Sequence, residues 1–218
     1  MKVLDRILDL LFPPKCPFCG RVREHGGICP QCEKPLPWTA ENDACWKLSG
    51  GLRCAAPLWY EDLAREGILR FKFQGASASA SALGELLAGC AAEHLAGEFD
   101  TVTWVPVSRK RLRKRGYDQA ELLARAACRL WDTEPVRLLN KTVDNPAQSG
   151  ISDTAARRAN VLGVYKVCGD AAGKRILLID DICTTGATLS ECARVLKDAG
   201  AESVVCAVVS KTREKLKK

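Results

Sequence analysis

RILLIDDICTTGATLSECARVL, residues 175–196, runs from branched apolar residues through two adjacent carboxylates into a threonine–glycine turn, and then into helical apolar spacing. The pattern predicts a buried strand, a short loop and a helix N-terminus. Such a loop offers backbone N–H groups, hydroxyls and the positive end of a helix dipole, a combination that suits a phosphate. Asp180 and Asp181 repel a phosphate, so they are expected to face hydroxyl groups or a metal. A sugar phosphate supplies both needs in one ligand.

At 218 residues, 47% hydrophobic and 27% charged, the chain has material for one full α/β core and a small appendage. Aromatic residues make up 6%, which argues against an aromatic platform for base stacking. A formal net charge of +7 favours polyanionic partners, either phosphorylated metabolites or nucleic acid, and does not choose between them. The twelve cysteines, in the absence of a recognisable secretory signal, point to a reducing compartment in which thiols bind metal or sit in cores. MKVLDRILDLLF carries Asp5 and Asp9 and is short for a signal peptide. No apolar run approaches the ~18 residues of a membrane span. The expectation is a soluble cytoplasmic protein with no membrane insertion.

Val3, Leu4, Ile7, Leu8, Leu11 and Phe12 share one side of a predicted helix that Pro13-Pro14 ends. Then CPFCGRVREHGGICPQC places one CxxC at Cys16 and Cys19 and another at Cys29 and Cys32, nine residues apart. Each pair turns two thiolates toward one cation, and the two pairs together predict a closed, structural zinc site. A segment this short folds only with its metal. His25 reads as a solvated loop residue. Cys45 and Cys54 read as structural thiols, with half of a second metal site as the alternative. Cys90, Cys128, Cys168, Cys192 and Cys206 lie in apolar patterns and read as core. Cys183 adjoins the proposed ligand, yet neither His25 nor His94 offers a base to activate it. The pattern changes near residues 50–55, which suggests residues 1–52 as helix plus zinc-binding module and residues 53–218 as the main domain.

CAAPLWY and TVTWVPV read as strands, with EDLAREGILRFKFQG and the alanine-rich stretch before His94 as helices. A basic loop then has six Lys or Arg in the seven positions 109–115. At the carboxyl end of a strand, one or two of its side chains hold a pyrophosphate, and the remainder touch nucleic-acid phosphates or merely solvate a helix face. From Asp118 a helix is expected to bury Leu122, Leu123, Ala126 and Leu130. Residues 140–160 lack apolar periodicity and read as a mobile loop, with Gln148, Arg157, Arg158 and Asn160 as ligand contacts. VLGVYKV and SVVCAVV read as further strands, and the basic tail as a solvated terminus. The order predicts an α/β fold with a mostly parallel sheet flanked by helices.

LLIDDICTTGATL resembles the diphosphosugar-binding signature of type I phosphoribosyltransferases. Together with LLFPPKCPFCG, FKFQG, VPVSRKRLRKRGYDQAELLA, NPAQ and RRAN, it makes the chain similar to the ComF competence family along almost its whole length. The resemblance implies a type I phosphoribosyltransferase-like domain behind an N-terminal zinc knuckle. It also implies a link to DNA uptake in natural transformation, with single-stranded DNA and DNA-uptake proteins as partners. In it, Asp180 and Asp181 would bind the ribose hydroxyls of phosphoribosyl pyrophosphate, and Thr184, Thr185, Gly186, Ala187 and Thr188 would wrap its 5-phosphate. Ser108 and Arg109 would fall at the pyrophosphate loop, and Gln148, Arg157 and Arg158 on the closing loop. Mg²⁺ on the pyrophosphate, helped by Arg157 or Arg158, would neutralise the leaving group. Turnover is one expectation; the other is an accessory that senses a sugar phosphate or binds single-stranded DNA.

Overall fold

The computed structural model describes residues 15–23, 27–73, 77–144 and 161–213. In chain order, two helical turns at Pro30–Glu33 and Glu41–Ala44 lead to β1 (Cys45–Lys47), β2 (Arg53–Ala55), β3 (Leu58–Trp59), α1 (Asp62–Phe73) and α2 (Ala80–His94). Then come β4 (Thr101–Trp104), α3 (Arg109–Arg115), α4 (Gln119–Leu130), β5 (Leu139–Lys141) and β6 (Tyr165–Val167). The stretch quoted first becomes β7 (Arg175–Cys183) and α5 (Ala187–Asp198), and β8 (Ser203–Lys211) follows.

The main sheet runs β1-β2-β8-β7-β4, with β3 also on β8. All its pairings are parallel except the edge pair of β1 with β2. CAAPLWY therefore forms two short strands on β8, and the break falls at Ala56-Pro57, where proline has no N–H to give a ladder. VLGVYKV yields β6, which stands apart from the main sheet and pairs antiparallel with β5, Leu139 opposite Val167. The start of the segment read as a loop is thus a strand, and residues 145–160 lie outside the described residues.

β7 is buried on both faces, as a central parallel strand should be. Leu177 and Ile179 join the cluster under α1, α2 and α4, with Phe71, Leu83, Leu87 and Leu123. Ile176 and Leu178 join the opposite one, with Leu138, Leu139 and Tyr165 of the hairpin side and Leu189, Cys192 and Leu196 of α5. The buried face of α4 centres on Ala120, Leu123, Ala124 and Ala127, so Leu122 is only partly buried and Leu130 stands in solvent. Cys90, Cys128, Cys192 and Cys206 are core, whereas Cys168, one residue past β6, is exposed.

The cysteine knuckle is seated on α1. Phe18 is fully buried in the α1–α2 cluster, and Arg70 donates to its carbonyl. β1, which precedes residue 53, belongs to the main sheet, so the 52/53 division falls between two paired strands. The predicted N-terminal helix and His25 lie outside the described residues. Among the described residues no helix is long and apolar enough to cross a membrane.

Candidate functional site

Strand alternation sends Asp180 and Asp181 to opposite sides at the carboxyl end of β7. Asp181 follows the parity of Leu177 and Ile179 and meets α1, where Lys72 Nζ lies 2.9 Å from its carboxylate. Asp180 follows Ile176 and Leu178 toward α5 and the hairpin, and its Oδ1 accepts from the Asp181 N–H at 2.8 Å. Dense surroundings and the adjacent Asp181 charge push the Asp180 carboxyl well above the usual carboxylate range, against the pull of the Lys72 ammonium. On the same side, burial brings the Lys141 ammonium down to about 8, with Arg111 next in effect. Lys141 stands over the Tyr165 ring, 5.4 Å from its centroid.

Thr184, Thr185 and Gly186 connect the acids to α5. Thr184 is exposed, Thr185 and Thr188 are partly buried, and Gly186 and Ala187 are buried. Gly186 caps the helix in the left-handed region, φ 72°. A β-carbon there would also lie 2.6 Å from Leu48 Cδ2. Close backbone approach at Gly186 is thus required by Leu48, from the segment joining β1 to β2. The turn leads into the first-turn amides of a twelve-residue helix, groups that need acceptors from outside the helix. Cys183 is buried in the core beside Cys54. Cys45 and Cys54 sit on adjacent strands but in opposite core clusters, which rules out their sharing one ion.

The basic run is a helix, not a loop. Ser108 caps α3 by accepting from Arg111 N–H at 3.3 Å, and Gly116 closes it in the left-handed region. The buried Ser108 hydroxyl also donates to Asp144. Arg109, Lys110, Arg113 and Lys114 are exposed. Arg115 turns inward: it stacks 4.8 Å over Phe73, donates to Gln119 Oε1 at 2.7 Å and senses Asp181. The three readings of the block therefore divide among its residues, with Arg115 on the site side and at least four others in solvent. Gln119 Nε2, buried beside it, has no partner among the described residues. Tyr117 donates through its hydroxyl to Phe71 O at the end of α1. Asp118 caps α4 and accepts from Val107 N–H at 3.0 Å; burial pushes its carboxyl up to about 6.

Cys16, Cys19, Cys29 and Cys32 bring their four Sγ atoms within 4.8 Å of one another. A tetrahedron of ~2.3 Å Zn–S bonds needs sulfurs roughly 3.8 Å apart, so the donor set fits zinc with no place for a fifth ligand. Burial raises the Cys16 thiol, but the N–H groups of Cys29, Cys19 and Phe18 outweigh it and bring the thiol down to about 7. Burial and the neighbouring thiols of Cys29, Cys19 and Cys16 push the Cys32 thiol the other way, so the thiols of the cluster do not ionise alike.

With this geometry in view, the comparisons with known proteins are specific. A competence protein ComFC from Bacillus subtilis is 30% identical over 187 residues, 85% of this chain and 72% of its own length. ComFC of Streptococcus pneumoniae is 31% identical over 195 residues, 87% of this chain and 84% of its own length. The chain belongs to the ComFC family. The DNA utilization protein YhgH of Escherichia coli K12 is 29% identical over 199 residues, 87% of this chain and 80% of its own. The family model for the phosphoribosyl transferase domain matches residues 112–218, and that for the double zinc ribbon domain matches residues 7–66. This ComFC-family chain thus combines a type I phosphoribosyltransferase-like α/β fold with an N-terminal zinc ribbon.

In the ComFC frame, the structure brings Asp180, Asp181, the 184–188 turn and Ser108 to the carboxyl ends of β7 and β4, and leaves Arg109 exposed. Gln148, Arg157 and Arg158 lie outside the described residues. Sequence reasoning did not single out Lys72, Lys141, Arg115 or Asp118 as site residues. FKFQG, one of the stretches that carry the family resemblance, contains Lys72, and RGYDQ, within another, contains Arg115 and Asp118; Lys141 lies in none of them.

Proposed function

We propose that this ComFC-family protein binds phosphoribosyl pyrophosphate with Mg²⁺ and transfers the phosphoribosyl group to a nitrogen acceptor. The observation that carries this reading is the acid pair splayed at the end of β7, directly before a glycine-capped turn into α5. Asp180 and Asp181 accept hydrogen bonds from the two ribose hydroxyls. The 184–188 turn donates N–H groups and hydroxyls to the 5-phosphate. Mg²⁺ carried by the ligand would supply charge neutralisation at the pyrophosphate, while Asp180 and Asp181 keep to the ribose hydroxyls. At the anomeric carbon the bond to pyrophosphate breaks with its electron pair, a bond to nitrogen forms, and the nitrogen loses a proton to solvent. No protein nucleophile takes part, in keeping with the burial of Cys183. Arg157 or Arg158 is assigned to the departing charge. We assign the protein to the cytoplasm.

The test is pyrophosphate release with ammonia, amines and nucleobases as acceptors. Release with at least one acceptor, lost in Asp181→Asn, is expected; no release with any of them overturns turnover. A second reading, single-stranded DNA handling alongside DNA-uptake proteins, draws on the exposed cations Arg109, Lys110, Arg113 and Lys114 of α3. Neutralising Lys110, Arg113 and Lys114 lowers DNA retention without touching ligand binding if that reading holds. Trp104 is buried and Tyr117 is tied to α1, so neither of the two aromatics that flank the basic run in sequence is free to stack on a base.

A further inference from the structure

We propose that Lys72, in the last turn of α1, is a positioning residue of the diphosphosugar site: its ammonium holds Asp181, and through it the acid pair, ready to accept hydroxyl hydrogens. This rests on the ligand reading above and adds a residue to it. The Lys72–Asp181 contact is 2.9 Å, with the side chains only 20% and 11% exposed, so water screens it far less than a surface pair.

The end of α1 is fixed from several directions, which distinguishes Lys72 from a surface lysine that happens to reach an acid. Phe71, the residue before it, is fully buried, and its carbonyl accepts from the Tyr117 hydroxyl. Phe73, the residue after it, lies under the Arg115 guanidinium. Two residues before Lys72, Arg70 ties the helix to the knuckle at the Phe18 carbonyl. Lys72 is therefore delivered to Asp181 by a backbone that the knuckle and the RGYDQ segment both hold.

Two adjacent carboxylates in a crowded site do not both ionise without a cation beside them. A carboxyl that keeps its proton loses acceptor capacity toward a ribose hydroxyl. Among the described residues, the charged and titratable groups that act on the pair include Lys72 from α1, Arg115 from α3, Asp118 at the start of α4, Lys141 and Tyr165 from the hairpin, and Cys192 from α5. Asp118 adds negative charge and Cys192 and Tyr165 are neutral at ordinary pH. Among the described residues the balance therefore depends on the cations, and Lys72 lies in direct contact with Asp181.

The test uses Lys72→Met, Lys72→Gln and Lys72→Arg, each with two readouts. The first is the titration of the Asp180 carboxyl carbon by NMR in the ligand-free protein. The second is the affinity for phosphoribosyl pyrophosphate with Mg²⁺ as a function of pH. The neutral variants are expected to move the Asp180 titration upward and to weaken binding, most at the acid end of the pH range. That loss shrinks as pH rises, and Lys72→Arg stays close to the parent. Unchanged carboxyl titration in both neutral variants overturns the proposal, as does tighter binding, which would make Lys72 a competitor for Asp181. A parent protein that binds no phosphoribosyl pyrophosphate overturns the ligand reading instead, and the carboxyl titration then still decides the role of Lys72.

Discussion

Phe18 of the cysteine knuckle lies against the backbone of α1 at Gly67, where an added β-carbon would fall 2.6 Å from the Phe18 ring. The knuckle is thus packed into the same helix that carries Lys72 to Asp181. Phe18→Ala empties a fully buried aromatic position, which typically costs about 3–5 kcal/mol. Urea unfolding should show that loss. A variant as stable as the parent would mean the knuckle does not brace α1.

Zinc removal should act through the same contact. Freshly purified protein is expected to contain one zinc per knuckle, and Cys16→Ser with Cys19→Ser should remove it and lower the melting temperature. Metal analysis that finds no zinc in the unmutated protein contradicts the four-cysteine site.

How much of this was legible in the sequence depended on distance along the chain. β7, its turn and α5 were readable because strand, loop and helix are contiguous and each has its own period. α3 was missed as a helix because RKRLRKR has one apolar residue and no apolar stripe. Its signals were the caps, Ser108 and Gly116, on either side. β5 has only Leu139 buried and is defined by its partner strand, information that three residues do not carry. The pairing of Lys72 with Asp181 joins two helix–strand units far apart in sequence, and local pattern has no access to it.

Gly186 tests whether the turn before α5 is shaped by its own backbone or by its neighbour. Gly186→Ala forces a non-glycine residue into φ 72°, at about 1–2 kcal/mol, and pushes against Leu48. In a Leu48→Ala background the steric part should disappear and the backbone part remain. An equal stability loss in both backgrounds, measured by denaturant unfolding, would remove Leu48 from the account.

Asp118 predicts a pH dependence of stability. Its carboxyl, with an ordinary value of 3.8, is raised to about 6 in the folded protein, chiefly by burial. Below pH 4 both states hold the proton and the group contributes no penalty. As pH rises through the window from 4 to 6 the unfolded chain releases its proton first, so stability falls by roughly 3 kcal/mol and then levels off. Asp118→Asn removes this term, so its stability relative to the parent should improve between pH 4 and 7. A constant difference across that window would show that Asp118 titrates normally.

The central claim is that the acid pair and the turn after it bind a diphosphosugar, and a melting-temperature titration with phosphoribosyl pyrophosphate and Mg²⁺ addresses it most directly. Ligand that binds only the folded state adds about 2.7 kcal/mol at one hundred times its Kd. The account predicts a rise that requires Mg²⁺ and vanishes when Asp180→Asn and Asp181→Asn are combined. An unmutated protein whose melting temperature does not move at millimolar ligand would contradict it.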